Sequence, residues 1–105
     1  MSKNPENIKN EYLVLVNIIK KRFEKHNQIF TINKEIIFKI LFESCEHLCV
    51  DEIVQIAQDK FKCELKESTV YRILSSFETL GIVDNIIIDD KKRFELVYFL
   101  EQVDC

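Results

Sequence analysis

The fold is decided by residues 67–88, ESTVYRILSSFETLGIVDNIII, where a helical spacing of apolar residues gives way to a strand. At 100° per residue, the apolar side chains from Val70 to Leu80 fall on one side of a helix. Gly81, the only glycine in the chain, stands where helices commonly end. The β-branched run at 82–88 then predicts a strand. This stretch therefore predicts one helix followed by the first strand of a hairpin.

Upstream, the apolar spacing predicts three more helices. The first runs from Pro5 to about Lys25, the second has Asn33 as its N-cap, and Asp51 caps the third. Each of the three is expected to bury one apolar side in the core.

Downstream, residues 93–100 predict a second strand, and the polar residues 89–92 predict the turn before it. The order of elements predicts a mainly α protein with a small β-hairpin, which is a winged helix-turn-helix with an extra N-terminal helix. We expect an extension helix in residues 1–28, a winged-helix domain in 29–100 and a C-terminal tail in 101–105.

The composition limits the function. Two histidines and a single glycine leave no catalytic constellation and no phosphate-binding glycine loop, so the sequence predicts that the protein is not an enzyme. No apolar run is long enough to cross a bilayer and the first ten residues are polar, which predicts a cytoplasmic protein with reduced cysteines. The net charge of −3 counts mildly against nucleic acid, although a binding face needs only local charge.

The outward side of the predicted helix has an unusual composition. It carries Ser68, Arg72, Ser75 and Thr79, with Tyr71 on the flank, and it lacks the lysines and glutamates of an ordinary solvent face. Short hydroxyl side chains let a helix approach base edges closely, and one guanidinium can bond a guanine through two hydrogen bonds. The alternative is that these side chains are merely exposed, or that the tyrosine packs on the wing.

The same stretch resembles a known family. TVYRILSSFETLGIV at 69–83 is similar to the recognition helix and following strand of the ferric uptake regulator family, and HLCVDEI at 47–53 resembles its entry into the third helix. Residues 31–41 and RFEL at 93–96 resemble the second helix and the end of the wing. The resemblance implies DNA binding, with Tyr71 as one of the groove contacts and Arg72 as the other.

Together these patterns predict a transcriptional regulator that binds double-stranded DNA. Base contacts are expected from α-helical residues on the outward side, and phosphate contacts from the helix start and the hairpin turn. The predicted DNA-contacting residues are Lys66, Ser68, Thr69, Tyr71, Arg72, Ser75, Lys91, Lys92 and Arg93.

The sequence also departs from the family. It ends before the family's C-terminal metal-binding dimerisation domain, so we expect a regulator without that domain. Two positions of the family's regulatory metal site survive, as His47 and Glu78, and Asp104 or another group would have to complete a site for zinc or iron. No other cofactor is predicted. The family's minor-groove lysine falls near Ile29, and its helix-capping serine is Lys66.

Three alternatives stay open at this point. The cluster Cys45, His47 and Cys49, with Cys63, supplies zinc-type ligands, although small buried cysteines at a helix junction are the favoured explanation. The second alternative is a protein-interaction module that has lost DNA binding. The third is a metal-responsive regulator. The apolar run Val97–Leu100, or the first helix, is predicted to form a homodimer because one module buries too little DNA surface to bind tightly.

Overall fold

The computed structural model describes residues 5–44 and 46–97, with side chains from residue 10 onward. Its helices are α1 Pro5–Lys25, α2 Ile32–Glu43, α3 Val50–Phe61 and α4 Glu67–Thr79, and its strands are β1 Leu48–Cys49, β2 Val83–Ile88 and β3 Lys91–Leu96. Helices followed by a hairpin confirm the predicted winged helix-turn-helix with an additional N-terminal helix. We call the β2–β3 hairpin the wing.

The starts of α2 and α3 differ from the predicted caps. Thr31, not Asn33, precedes α2, and its hydroxyl accepts the backbone N–H of Lys34 at 3.3 Å. Cys49, not Asp51, precedes α3, and its N–H donates to the carboxylate of Glu52 at 3.1 Å. Both helices therefore begin two residues earlier than the composition of their first turns indicates.

The wing is one strand pair of a three-stranded antiparallel sheet with the order β1-β3-β2. The two-residue strand β1 was not predicted. Ile88 pairs with Lys91, so Asp89 and Asp90 alone make the turn, and both have positive φ angles of 52° and 65°, as in a type I′ hairpin. The prediction that the turn spans 89–92 is therefore wrong, and residues 91 and 92 belong to β3.

Helix α1 packs into the same hydrophobic core as the winged helix. Leu15, Ile19 and Phe23 are buried in it, and the ring of Phe23 lies 5.8 Å from that of Phe77 on α4. Removal of a buried phenylalanine side chain costs about 3–5 kcal/mol of stability. The extra helix thus helps to hold the inner side of α4 in place.

The end of α4 is fixed by a turn at Gly81, whose φ of +74° suits glycine. The guanidinium of Arg22 on α1 donates to the carbonyl of Leu80 at 3.1 Å. The N–H of Ile82 donates to the carbonyl of Phe77 at 2.8 Å, and this bond leads the chain directly into β2. Within the described residues, no helix has the length and apolar character needed to span a membrane.

Candidate nucleic-acid interface

Helix α4 presents the polar side that its sequence predicts. Its inward residues Val70, Ile73, Leu74 and Phe77 are buried. The outward residues are exposed; they are Ser68, Arg72, Ser75 and Thr79. The orientation follows from the spacing of the apolar positions, which fall on one side of an α-helix.

Arg72 is exposed and available. Among the described residues, none forms a hydrogen bond or ion pair with its guanidinium, so no internal contact competes with an external acceptor. Its neighbour Tyr71 is 47% exposed, and the centroid of its ring lies 6.5 Å from that of Phe94 on β3, with the two rings nearly perpendicular. Tyr71 therefore packs on the wing with one side and faces solvent with the other.

An open groove with a volume of about 560 Å³ lies between α4 and the start of α2. We call it the α2–α4 groove; it is lined by Gln28, Thr31, Asn33, Lys34, Thr69, Arg72, Ile73, Ser75, Ser76 and Thr79. Its lining contains two cations and no carboxylate, in a chain whose net charge is −3. The groove is therefore a local exception to the acidic composition, with hydroxyl groups on both walls and side-chain amides on the wall opposite α4.

The wall of this groove opposite α4 is held in place by side chains. The hydroxyl of Ser76 donates to Oε1 of Gln28 at 2.9 Å. The ammonium of Lys34 donates to the carbonyl of Ile29 at 2.7 Å and lies 4.7 Å from the ring centroid of Phe23. Burial lowers the pKa of Lys34 below its ordinary value. The lysine thus fixes the α1–α2 loop as well as contributing charge to the groove.

Sequence reasoning missed the α2 side of the groove. Asn33 was predicted only as a helix N-cap, and none of Thr31, Asn33 and Lys34 was predicted to form part of a binding surface. A signal was present, since Thr-x-Asn-Lys at the start of a helix offers donors and a cation together. Their position facing α4 depends on tertiary packing, which the local pattern does not encode.

The start of α4 is a less favourable site for an anion than the α2–α4 groove. Lys66 and Ser68 are exposed and Thr69 is half-buried, as expected for phosphate-contacting residues. Glu67 lies between them, and a hydrogen bond with Asp51 together with the charge of Asp51 raises the pKa of Glu67, while the charge of Lys91 opposes the shift. This pair of carboxylates adds negative charge beside the helix start.

The three wing cations all have carboxylate partners. Lys91 lies 3.5 Å from Asp51, and Lys92 lies 4.0 Å from Glu78. Arg93 makes the closest contact, with its Nη1 2.8 Å from Glu52 and 3.3 Å from the carbonyl of His47. The three were predicted to contact DNA; in the structure the lysines are loosely paired and the arginine is firmly held.

The two predicted metal ligands have separate partners. Nε2 of His47 lies 2.9 Å from the carboxylate of Glu95, and Glu78 accepts a hydrogen bond from Asn85. In the ranges 5–44 and 46–97 no three His, Cys, Asp or Glu side chains come together as a metal site. The described residues therefore do not fit a bound zinc or iron ion, and Asp104 lies outside them. Metal binding stays a prediction that elemental analysis of purified protein checks.

The predicted dimer contacts are only partly described. Val97 donates its N–H to the carbonyl of Ile82, while residues 98–100 and the tail at 101–105 lie outside the described residues. On α1, Leu13 and Val14 are 49% and 47% exposed. Cys45 is not described either, which leaves the proposed cysteine cluster untested.

Comparison with known proteins identifies the fold. Fur from Helicobacter pylori, which has three functional metal binding sites, matches with a TM-score of 0.72 and 22% identity over 81% of this chain and 57% of that one. Fur from Vibrio cholerae gives a TM-score of 0.65 and 25% identity, over 76% and 62%. PerR from Streptococcus pyogenes gives 0.66 and 21%, over 76% and 54%. The chain thus spans little more than half the length of these solved chains.

One of the two sequence comparisons identifies the family. A search of curated proteins gives no match. The model of the ferric uptake regulator family, by contrast, matches residues 25–103, which is most of the chain and includes all of the winged helix. This chain belongs to the ferric uptake regulator family.

Proposed function

We propose that this chain is a transcriptional regulator of the Fur type that binds double-stranded DNA by inserting α4 into the major groove. Tyr71, Arg72 and Ser75 contact base edges, while Lys66 and Thr69 approach phosphates, with Ser68 beside them. The observation that carries the proposal is the carboxylate-free α2–α4 groove with its unpaired arginine, in a chain of net charge −3. The family is one of regulators, so the activity is binding and not catalysis.

The wing makes the secondary contacts. Lys91 and Lys92 are partly exposed, and their ion pairs of 3.5 and 4.0 Å are weak enough for a phosphate to replace the carboxylate. These contacts are independent of sequence and add affinity without adding preference.

The protein acts as a homodimer on a palindromic site. One winged helix buries about 600–1,000 Å² on DNA, and two such modules on half-sites separated by about one helical turn or a multiple reach the affinity of a specific regulator. The dimer contact involves Val97–Leu100 or α1. Sedimentation of the protein with and without duplex measures the stoichiometry.

Selection of bound sequences from a random duplex pool tests the proposal directly. We expect an enriched palindrome, and fluorescence anisotropy should show tighter binding to it than to a scrambled duplex. Binding should weaken by about 0.9 log unit per phosphate contact for each log unit of salt. No enrichment, together with low-salt binding no tighter than that of an acidic control protein, would reject DNA binding.

A second candidate is a protein-interaction module of winged-helix form. The observation that favours it is the wing, where the edge strand β2 exposes Ile86, Ile87 and Ile88, the middle one by 70%. Exposed apolar residues on an edge strand favour contact with another chain. Replacement of Ile87 by Thr should leave DNA binding unchanged if the first proposal holds and should abolish partner capture under the second.

A further inference from the structure

The wing is joined to the start of α3 by a charged pair. Arg93 on β3 lies opposite Cys49 on β1 in the antiparallel ladder. Its Nη1 donates to Oε1 of Glu52 at 2.8 Å and to the carbonyl of His47 at 3.3 Å. One guanidinium nitrogen therefore bridges the residue before β1 and the first turn of α3.

The carboxylate of Glu52 is itself fixed by the helix start. Its Oε1 also accepts the N–H of Cys49, the residue before α3, at 3.1 Å. The hydrogen bond from the Cys49 backbone and the charge of Arg93 lower the pKa of Glu52, so the group is ionised at neutral pH. The acceptor of the arginine is thus held by the α3 backbone and carries a full charge.

Arg93 differs from the other wing cations because moving its side chain toward DNA would break stronger internal contacts. The side chains of Lys91 and Asp51 are 56% and 61% exposed, so water replaces a broken contact there at little cost. The side chain of Arg93 is only 26% exposed and has two acceptors. Movement of the side chain away from these acceptors toward a phosphate would leave both of them without the guanidinium nitrogen that they share.

The pair also bears on the proposed DNA-binding surface. Phe94, the residue after Arg93, is buried, and its ring packs nearly perpendicular to that of Tyr71 on α4. The register of β3 against β1 therefore determines where the wing supports Tyr71. Loss of the pair should loosen the wing and change the support of this ring without removing a group that contacts DNA.

We infer that Arg93 is a positioning residue which, through Glu52, fixes the wing to α3, and that it does not itself contact DNA. The inference rests on the proposed function where it concerns DNA. Its structural part, the attachment of the wing, is independent of any ligand.

The effect of Glu52→Ala on DNA binding distinguishes a positioning role of Arg93 from a direct contact with phosphate. If the pair positions the wing, Arg93→Gln and Glu52→Ala both weaken DNA binding, and the double variant is no weaker than the worse single one. If Arg93 contacts phosphate, Glu52→Ala removes a competing carboxylate and tightens binding. Glu64→Ala, on the exposed α3–α4 link, is the matched control for loss of one negative charge.

The salt dependence gives a second readout. We expect Arg93→Gln to lower the affinity at every salt concentration with the slope of log K against log salt unchanged. Lys91→Gln should instead lower that slope by about 0.9, the value for one lost phosphate contact. A slope lowered by this amount in Arg93→Gln would overturn the inference.

Amide hydrogen exchange without DNA tests the attachment itself. Protection of residues 91–96 should fall about tenfold in both Arg93→Gln and Glu52→Ala, the size expected for one hydrogen bond to a charged group, while protection of α2 is retained. Arg93→Lys, which keeps the cation, should recover part of it. Unchanged protection in β3 overturns the inference even if DNA binding fails, whereas lost protection without DNA binding rejects only the proposed function.

Discussion

The α2–α4 groove and the junction of the wing with α3 use charge in opposite ways. The groove brings Lys34 and Arg72 together with hydroxyl and amide groups and has no carboxylate in its lining. At the wing junction, Lys91 and Arg93 each face a carboxylate of α3. The first surface keeps its positive charge for an external anion, and the second neutralises much of its charge internally.

This difference explains how an acidic chain can present a surface for nucleic acid. The net charge of −3 describes the whole molecule, but a phosphate responds mainly to groups within about one Debye length, roughly 8 Å at physiological salt. Cations that are paired with carboxylates, such as Lys91 and Arg93, contribute little to that local field. Under the proposed function, we therefore expect the groove to supply most of the affinity and preference for DNA, and the wing to supply a smaller, salt-sensitive share.

The largest expected effect comes from placing a carboxylate in the groove. Ser75→Glu should lower DNA affinity more than about 100-fold, because like charges brought together at an interface cost several kcal/mol. Ser75 is exposed, so the free energy of unfolding should change by less than about 0.5 kcal/mol. Anisotropy titrations and thermal melts measure the two quantities.

Gln58→Glu is the control for that variant, since it adds the same charge at an exposed position of α3 outside the groove. We expect the control to change affinity far less. Equal losses in the two variants would mean that net charge, and not the groove, determines binding.

The next effect concerns the unpaired arginine. Arg72→Ala should remove about 1–3 kcal/mol of preference for the selected site over a sequence changed at one base pair, as expected for loss of a two-bond contact with guanine. Lys60→Ala, another exposed cation that does not line the groove, should leave the preference intact. Competition titrations with the two duplexes measure this ratio, and a ratio unaltered by Arg72→Ala would place sequence recognition elsewhere.

Local pattern was enough to predict α4 and its orientation. The apolar spacing from Val70 to Phe77 determines which side is buried, and Gly81 marks the end of the helix region because its positive φ suits glycine. Strand β1 could not be found in the same way. It has only two residues, Leu48 and Cys49, and exists because β3 pairs with it.

The candidate site was predictable only where one element carries it. The exposed side of α4 follows from its own sequence. The role of Arg93 does not, because its partner Glu52 lies 41 residues away and belongs to another element. The α2 side of the groove is held by Gln28 and Ser76, 48 residues apart, which no local pattern connects. Charge composition predicts which groups are available, and tertiary pairing decides which of them are used internally.

A smaller effect is expected at Lys91, the first residue of β3 after the turn of the wing. Lys91→Gln should lower the slope of log K against log salt by about 0.9 and weaken all duplex sequences alike. The partner variant Asp51→Asn should tighten binding slightly, because it removes the carboxylate that competes for the lysine. If Lys91→Gln changed the preference among sequences, the wing would contribute to recognition and the division between the two surfaces would be wrong.

The smallest effect is expected at the start of α4, where the two surfaces meet. Asp51 raises the pKa of Glu67, so this carboxyl takes up a proton at a higher pH than an ordinary glutamate. A raised pKa in the folded state means that the charge of Glu67 opposes folding at neutral pH, and that the opposition is relieved as the pH falls through the raised pKa.

The same protonation removes a negative charge from the DNA side, so binding should strengthen as the pH falls through that range. Glu67→Gln should tighten binding at pH 7 by about twofold. This is the change expected when the repulsion between one carboxylate and one phosphate charge at roughly 10 Å in water is removed. It should also flatten the pH dependence of binding relative to that of the unmodified protein, and this comparison cancels the contributions that the two proteins share. A pH dependence as steep in Glu67→Gln as in the unmodified protein would show that Glu67 does not face the DNA, and the binding surface would then end short of the first turn of α4.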